Sequence, residues 1–142
     1  MTHLRTTLVV LCVLTTAGCA SRAAAPRSPS SSPAAARALD VQEGLASYYA
    51  DWFEGRTTAS GTVFDNDAFV AAHPSYPFGS VVRVTNLTNK MSVDLRVVDR
   101  GPAAAIRARG VIIDVSRAAA QQLRFIAGGR VRVRVEVLKW GG

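Results

Sequence analysis

The chain has 142 residues, of which 17 are Lys or Arg and 10 are Asp or Glu, giving a formal net charge of +7 at pH 7. With 49% hydrophobic residues, this length suits one globular domain plus a tail, and the basic balance favours anionic partners. Of the two Cys and two His, Cys12 and His3 are expected to leave with an N-terminal signal and Cys19 to carry a lipid. The mature domain is therefore expected to have no disulfide framework, no Cys-based metal site and no His-rich zinc cluster.

The N-terminal segment 1–18 has the features of a secretory signal. Arg5 supplies a positive charge, and 8–14 is an apolar run too short to span a bilayer, which needs about 20 residues. The segment ends in Thr16-Ala17-Gly18-Cys19, which resembles the bacterial lipoprotein box, although Thr16 stands where Leu is usual. Cys19 is therefore the predicted lipidation site. The alternative is ordinary signal-peptidase cleavage a few residues later, which leaves no lipid.

The next segment, 19–39, is predicted to be a disordered tether. Ala, Ser, Pro and Arg dominate it. A segment with so few large apolar residues cannot bury enough surface to offset the entropy of ordering it. The folded domain is therefore expected over 40–142.

Short strands separated by turns are predicted along this domain, over residues 44–49, 80–85, 93–98, 111–115 and 131–137. Asn86 and Asn89 fit a hairpin turn between the second and third strands. Two short helices are predicted over 67–72 and 117–123, the second with Ser116 as its N-cap. Many short strands with one or two short helices indicate a mainly all-β fold, a compact barrel.

A carboxylate and a guanidinium stand together at the end of the third predicted strand, in Asp99-Arg100-Gly101-Pro102. Gly and Pro end the strand there, which places both side chains on a loop held by a sheet, where chemistry tends to sit. The alternative is a structural one, in which Asp99 forms a salt bridge or a turn cap with Arg100.

Four other strings accompany this motif in a fixed order, namely Gly55-Arg56-Thr57-Thr58-Ala59-Ser60-Gly61, Ala71-Ala72-His73-Pro74, Pro77-Phe78-Gly79 and Val111-Ile112-Ile113-Asp114-Val115-Ser116-Arg117. In this order and spacing, residues 44–138 resemble the rare lipoprotein A family. The resemblance implies a six-stranded double-psi β-barrel. It also implies an envelope-anchored peptidoglycan lytic transglycosylase without a cofactor or a metal ion.

The implied reaction is endolytic cleavage of MurNAc-GlcNAc bonds in denuded glycan strands, which leaves 1,6-anhydroMurNAc ends. Asp99 occupies the position of the family's conserved Asp and is the implied general acid/base. His73 occupies the family's motif His position and is the second catalytic candidate. The alternative for His73 is a structural cap on the turn before Pro74, and for Asp114 a structural role is favoured.

One position departs from the family. The family string is usually followed by Glu, a second proposed catalytic acid, whereas Thr62 stands there in this chain. One alternative is that a nearby carboxylate, Glu54, Asp65 or Asp67, performs the role of that Glu. Another is a catalytically weakened protein that binds peptidoglycan or loosens the wall.

Substrate contacts are expected from a second group of residues, namely Arg56, Ser60, Thr62, Arg100 and Trp52. Trp52 is the candidate for stacking on a sugar ring, whereas Tyr48 and Phe53 are expected to point inward. The expected partners are glycan strands and, through the lipid on Cys19, the outer membrane. No nucleic acid is expected, and the protein is predicted to be a monomer in the cell envelope, facing the periplasm.

Overall fold

The structure is a computed structural model that describes residues 37–142. The predicted signal 1–18, the lipidation site Cys19 and most of the predicted tether 19–39 lie outside the described residues. Within 37–142, none of the helices has the length and apolar character needed to cross a bilayer.

Six strands form a closed barrel, confirming the mainly all-β prediction. They are β1 Val41–Tyr48, β2 Val70–Ala72, β3 Val81–Asn86, β4 Ser92–Asp99, β5 Val111–Val115 and β6 Val131–Lys139. Around the barrel they follow the order β1-β5-β2-β4-β3-β6. The β1–β5 and β2–β4 pairs are parallel, and the other four pairs are antiparallel.

Strand alternation fills the barrel with small and branched side chains. In β6, Val133, Val135 and Val137 are fully buried, whereas Arg132 and Arg134 are exposed. This is the pattern expected of a sheet with one face on the core. The predicted hairpin between β3 and β4 is present. The second predicted helix is α2 Arg117–Gln122, and the Ser116 side chain caps it by accepting from the Ala119 amide.

The helix predicted over 67–72 is wrong. Its last three residues form β2, which pairs with both β4 and β5. Ala71 and Ala72 are fully buried, so pairing within the barrel outweighs the local helical preference of a short Ala-containing run. Two elements were not predicted, a 3-10 turn over Asp51–Phe53 and α1 Ala104–Arg107.

Strand register brings two aspartates into one region. Ala72 in β2 lies opposite Asp99 of β4 on one side and opposite Asp114 of β5 on the other. Neighbouring strands lie about 4.8 Å apart, so the two aspartate backbones are separated by about 10 Å, with only β2 between them. The short β2 strand thus places the ends of β4 and β5 side by side.

Candidate active site

A cleft of about 600 Å³ lies where β1 and β4 end, beside the last residues of β5. Its strand side carries Ser47, Tyr49, Asp99 and Asp114, and α1 with the segments around it forms the other wall. The ends of β1, β4 and β5 therefore place polar side chains around one cavity. A cavity of this size with a few convergent polar groups is typical of a ligand site.

The Asp99 carboxylate is fixed by three donors. Its Oδ1 accepts from the backbone amides of Ala59 and Arg100, each at 2.8 Å. Its Oδ2 accepts from the Tyr49 hydroxyl at 2.7 Å. The partners come from the end of β1, from the loop that contains Ala59 and from the chain just after β4. Asp99 therefore acts as a hydrogen-bond acceptor, with a defined orientation at the cleft.

The loop that supplies the Ala59 amide carries three hydroxyl groups that bond to one another. Thr58 Oγ1 lies 2.9 Å from Ser60 Oγ and 3.0 Å from Thr62 Oγ1, and the latter two oxygens lie 3.1 Å apart. The Ser60 amide also donates to the Val98 carbonyl at 3.1 Å, which ties the loop to β4. Thr62 therefore helps to hold the loop that orients Asp99.

The carboxylates considered as replacements for the family Glu lie elsewhere. None of Glu54, Asp65 and Asp67 lines the cleft. Glu54 accepts from the Asn66 amide at 2.7 Å, and Asp65 accepts from the Asp67 amide at 2.8 Å. Both interactions serve the loop that leads to β2.

Arg100 lines the cleft, but its guanidinium is bound to a different loop. Nη1 donates to the Tyr76 carbonyl at 3.0 Å, and the group lies 3.7 Å from the centre of the Phe78 ring. Within residues 37–142, no ion pair joins Arg100 to Asp99. The salt-bridge alternative for Asp99 is thus absent from the described part of the chain, and the Asp99 carboxylate contacts Arg100 through the Arg100 amide, as a turn cap.

Asp114 faces the cleft rather than the barrel core. In β5, Val111, Ile113 and Val115 are buried in the barrel, and Asp114 lies on the opposite face. One oxygen accepts a short hydrogen bond from the Ser47 hydroxyl. Burial is the main cause that raises the pKa of Asp114, the negative charge of Asp99 adds to it, and the Ser47 bond opposes it.

His73 lies behind the cleft and not in its wall. The side chain is 1% exposed and stacks on Tyr76, with the ring centres 3.5 Å apart. Its Nδ1 accepts from the amides of Ser75 and Tyr76 at 3.3 and 3.1 Å. Burial, together with the Arg100 charge, lowers the pKa of His73 to about 4. Its amide donates to the Asp99 carbonyl at 3.2 Å, so the residue touches the site through its backbone.

The exposed aromatic group is next to the cleft. Trp52 is 59% exposed and stacks on Phe53, with the ring centres 3.7 Å apart, and Phe53 lines the cleft. The Arg56 guanidinium lies 4.5 Å from the centre of the Trp52 ring. Tyr48 and Phe53, which were expected to point inward, are half-buried against the core.

The residues that line the site without having been predicted as site residues from the sequence include Ser47, Tyr49, Arg107 and Arg130. Ser47 and Tyr49 are two positions apart, which in an extended chain puts them on one side, and this periodicity was a usable signal. The Arg residues carry no such signal, because α1 and the chain before β6 are positioned only by the closed barrel.

The closed six-stranded sheet and the cleft beside its aspartates define a double-psi β-barrel with a carboxylate-bearing site. Residues 41–135 match the family model described as "Lytic transglycolase". The chain belongs to this family, and the resemblance to rare lipoprotein A is confirmed.

Curated relatives share the domain but are longer. "Probable endolytic peptidoglycan transglycosylase RlpA" of Treponema pallidum is 52% identical over 101 residues, covering 71% of this chain and 30% of that protein. "Endolytic peptidoglycan transglycosylase RlpA" of Neisseria meningitidis is 50% identical over 96 residues, covering 68% and 38%. The chain thus spans about a third of the length of these relatives.

Solved structures with the same fold are more distant in sequence. "Streptomyces papain inhibitor (SPI)" superposes with a TM-score of 0.57 at 22% identity, covering 72% of this chain and 97% of that one. Apo expansin of Clavibacter michiganensis gives a TM-score of 0.55 at 18% identity, covering 72% and 52%. At this level of identity the likeness establishes the double-psi barrel fold alone.

Proposed function

We propose that this domain is an endolytic peptidoglycan lytic transglycosylase that cleaves MurNAc-GlcNAc bonds in denuded glycan strands. The observation that supports the proposal is the Asp99 carboxylate, oriented by three donors at a cleft in a chain of the lytic transglycolase family. The relatives named above are described as endolytic peptidoglycan transglycosylases.

The reaction needs proton transfer at two oxygens. The 6-hydroxyl of MurNAc attacks its own anomeric carbon, the bond from that carbon to the glycosidic oxygen breaks, and no water is consumed. The glycosidic oxygen gains a proton and the hydroxyl loses one, so a single carboxyl can act as general acid and then as general base. Asp99, whose neighbours are all donors, is suited to accept the hydroxyl proton.

The neighbouring groups provide the substrate contacts. We propose that a sugar ring packs on the exposed Trp52, with Arg56 and Arg100 facing polar substituents. Ser60 and Thr62 lie on the loop over Asp99 and offer hydroxyl groups to the glycan. In this proposal His73 acts through its backbone and holds Asp99 in place.

The test uses the full chain and purified denuded glycan strands. Products are examined by mass spectrometry for 1,6-anhydroMurNAc ends, and strand binding is measured in parallel by sedimentation. Formation of these ends supports the proposal. Ordinary reducing ends would indicate a hydrolase, and neither binding nor products would indicate a docking scaffold, so either result would refute it.

A second candidate function is binding without cleavage, and Thr62 favours it. The Thr62 hydroxyl is engaged with Thr58 and Ser60 and cannot replace the family's Glu as an acid near neutral pH. Strand binding without products is the result that this candidate predicts. The variant Thr62→Glu would then create anhydro ends where the natural protein makes none.

Two arginines in the cleft are suited to bind denuded strands. Arg107 and Arg130 line the cleft, and within residues 37–142 neither forms an ion pair with a carboxylate. The lactyl group of MurNAc carries a free carboxylate only where the stem peptide is absent. Cations facing the strand would pair with this lactyl carboxylate, which in denuded glycan lies next to the sugar ring.

The double variant Arg107→Gln/Arg130→Gln is expected to bind denuded strands about 2- to 30-fold more weakly. Exposed ion pairs contribute about 0.2–1 kcal/mol each, which sets this range for two of them. Affinity is measured by sedimentation at low and high salt, because screening should reduce the difference. The matched control is Arg96→Gln/Arg132→Gln, which removes the same charge from exposed positions outside the cleft. Equal losses in both variants would contradict the assignment.

We also propose that the protein is a monomer anchored by a lipid on Cys19, at the outer membrane facing the periplasm. The lipoprotein-box resemblance supports the anchor. Mass spectrometry of the mature N-terminus tests it, since a diacylglyceryl addition is expected there. A free N-terminus beyond Cys19 would refute the anchor.

A further inference from the structure

We infer that Asp114 is a second catalytic carboxyl of the cleft, the acid that protonates the leaving glycosidic oxygen while Asp99 takes the hydroxyl proton. The inference rests on the proposed function. It assigns the acid step to Asp114 and the base step to Asp99, two steps that a single carboxyl would otherwise perform. It reverses the structural role that the sequence favours for Asp114.

The position of Asp114 suits this task. Both aspartates line the same cleft and flank Ala72 in the strand register. A methyl group on Gly101 would lie 3.3 Å from Asp114 Oδ2, so the bare glycine leaves that oxygen room beside the chain that follows Asp99. Within residues 37–142, the hydrogen bond to Asp114 comes from Ser47 at Oδ1, and Oδ2 accepts from no protein donor.

The electrostatic setting separates the two carboxyls. Asp99 accepts from three donors, whereas Asp114 is partly buried and has one. Burial and the Asp99 charge raise the pKa of Asp114, which favours its protonated form. The other ionisable groups in the cleft wall are Tyr48, Tyr49, Arg100, Arg107 and Arg130. A carboxyl whose surroundings raise its pKa, next to a second carboxyl held by hydrogen-bond donors, is suited to serve as the acid of such a pair.

The proton balance of the step is complete without a further reactant. Asp114 gives its proton to the glycosidic oxygen as the bond from the anomeric carbon breaks, and the GlcNAc hydroxyl leaves. The 6-hydroxyl oxygen bonds to the anomeric carbon and its proton goes to Asp99. Exchange with solvent then returns Asp114 to its protonated form and Asp99 to its ionised form.

The first test is Asp114→Asn in the full chain. An amide keeps an oxygen that can accept from Ser47 but has no acidic proton, so kcat should fall about 10²- to 10⁴-fold while strand binding persists. The matched control is Asp94→Asn, an exposed position on β4 that pairs with Arg83 on the outside of the barrel. Its kcat should equal that of the natural protein. Retained kcat in Asp114→Asn overturns the inference.

The second test is Ser47→Ala, which keeps the carboxyl and removes its hydrogen-bond donor. A hydrogen bond to the charged form favours that form, so its loss should raise the pKa of Asp114. The alkaline limb of the kcat–pH profile should move up by about 0.5–1 pH unit. A purely structural Asp114 would leave the limb unmoved, and that result overturns the inference even if Asp114→Asn fails to fold.

The outcome also separates this inference from the function on which it rests. Anhydro ends made equally by the natural protein and by Asp114→Asn would refute the role of Asp114 and keep the transglycosylase. Absence of anhydro ends from the natural protein would refute both, because an acid without a reaction is not catalytic.

Discussion

Replacing Asp99 by Asn is expected to lower the rate of 1,6-anhydroMurNAc formation by about 10²- to 10⁴-fold, the range that general acid–base catalysis contributes. The amide oxygen can still accept from the backbone amides of Ala59 and Arg100, which now bond to Oδ1. The loop that contains Ala59 should therefore keep its position. The loss then reports the missing proton acceptor, and the rate is measured by mass spectrometry of strand ends.

Two measurements make this result specific to the site. Asp94→Asn removes a carboxylate from the same strand, outside the cleft, and should cleave at the natural rate. Thermal unfolding followed by circular dichroism should show Asp99→Asn folded at the assay temperature. A folded Asp99→Asn protein that cleaves at the natural rate would remove Asp99 from the mechanism.

The barrel was predictable because its strands carry strong local signals. In β6, Val alternates with Arg or Glu, and in β5 an apolar run lies between turn residues, so both were placed from the sequence within about two residues at each end. The α2 helix was recognised by its Ser116 cap and Ala-rich body. In β2 this local information was absent, because three residues become a strand only through pairing with β4 and β5.

The site was predictable in its motif and not in its surroundings. Asp99 was identified from the Asp-Arg-Gly-Pro string, and the structure places it at the cleft. Tyr49, which donates to Asp99 from 50 positions away, could not be connected to it without the barrel. The sequence favours a structural role for Asp114, because an Asp within an apolar strand suggests a buried carboxylate paired with a donor. In the structure, alternation along β5 puts Asp114 on the face opposite Ile113.

His73 lies behind the cleft and supports Asp99 through its backbone amide. Its ring fills a buried space against Tyr76, and its Nδ1 accepts two backbone amides of the following turn. Because Nδ1 accepts, the proton of the neutral ring is on Nε2, which is buried without a protein partner in the described residues. Charging this ring would bury a cation, so acid should weaken the turn that supports Asp99.

The free energy of unfolding should therefore fall by about 2 kcal/mol between pH 7.5 and pH 5 through His73 alone. The pKa of His73 is about 4 in the fold against 6.5 for an unperturbed imidazole, so the unfolded chain takes up the proton first as pH falls. This contribution to stability is complete above about pH 6.5 and is lost as pH approaches 4. Urea unfolding at a series of pH values measures it.

The matched variant is His73→Asn, whose Oδ1 can accept the same two backbone amides without titrating. Its stability at pH 7.5 is not the test, because the smaller side chain also changes packing. The difference between the two proteins should instead shrink by about 2 kcal/mol from pH 7.5 to pH 5. The raised pKa of Asp114 acts in both proteins and cancels in this difference. If the free energies of unfolding of the two proteins changed in parallel from pH 7.5 to pH 5, the imidazole would already take up a proton freely in the folded protein. His73 would then return as a candidate for direct proton transfer.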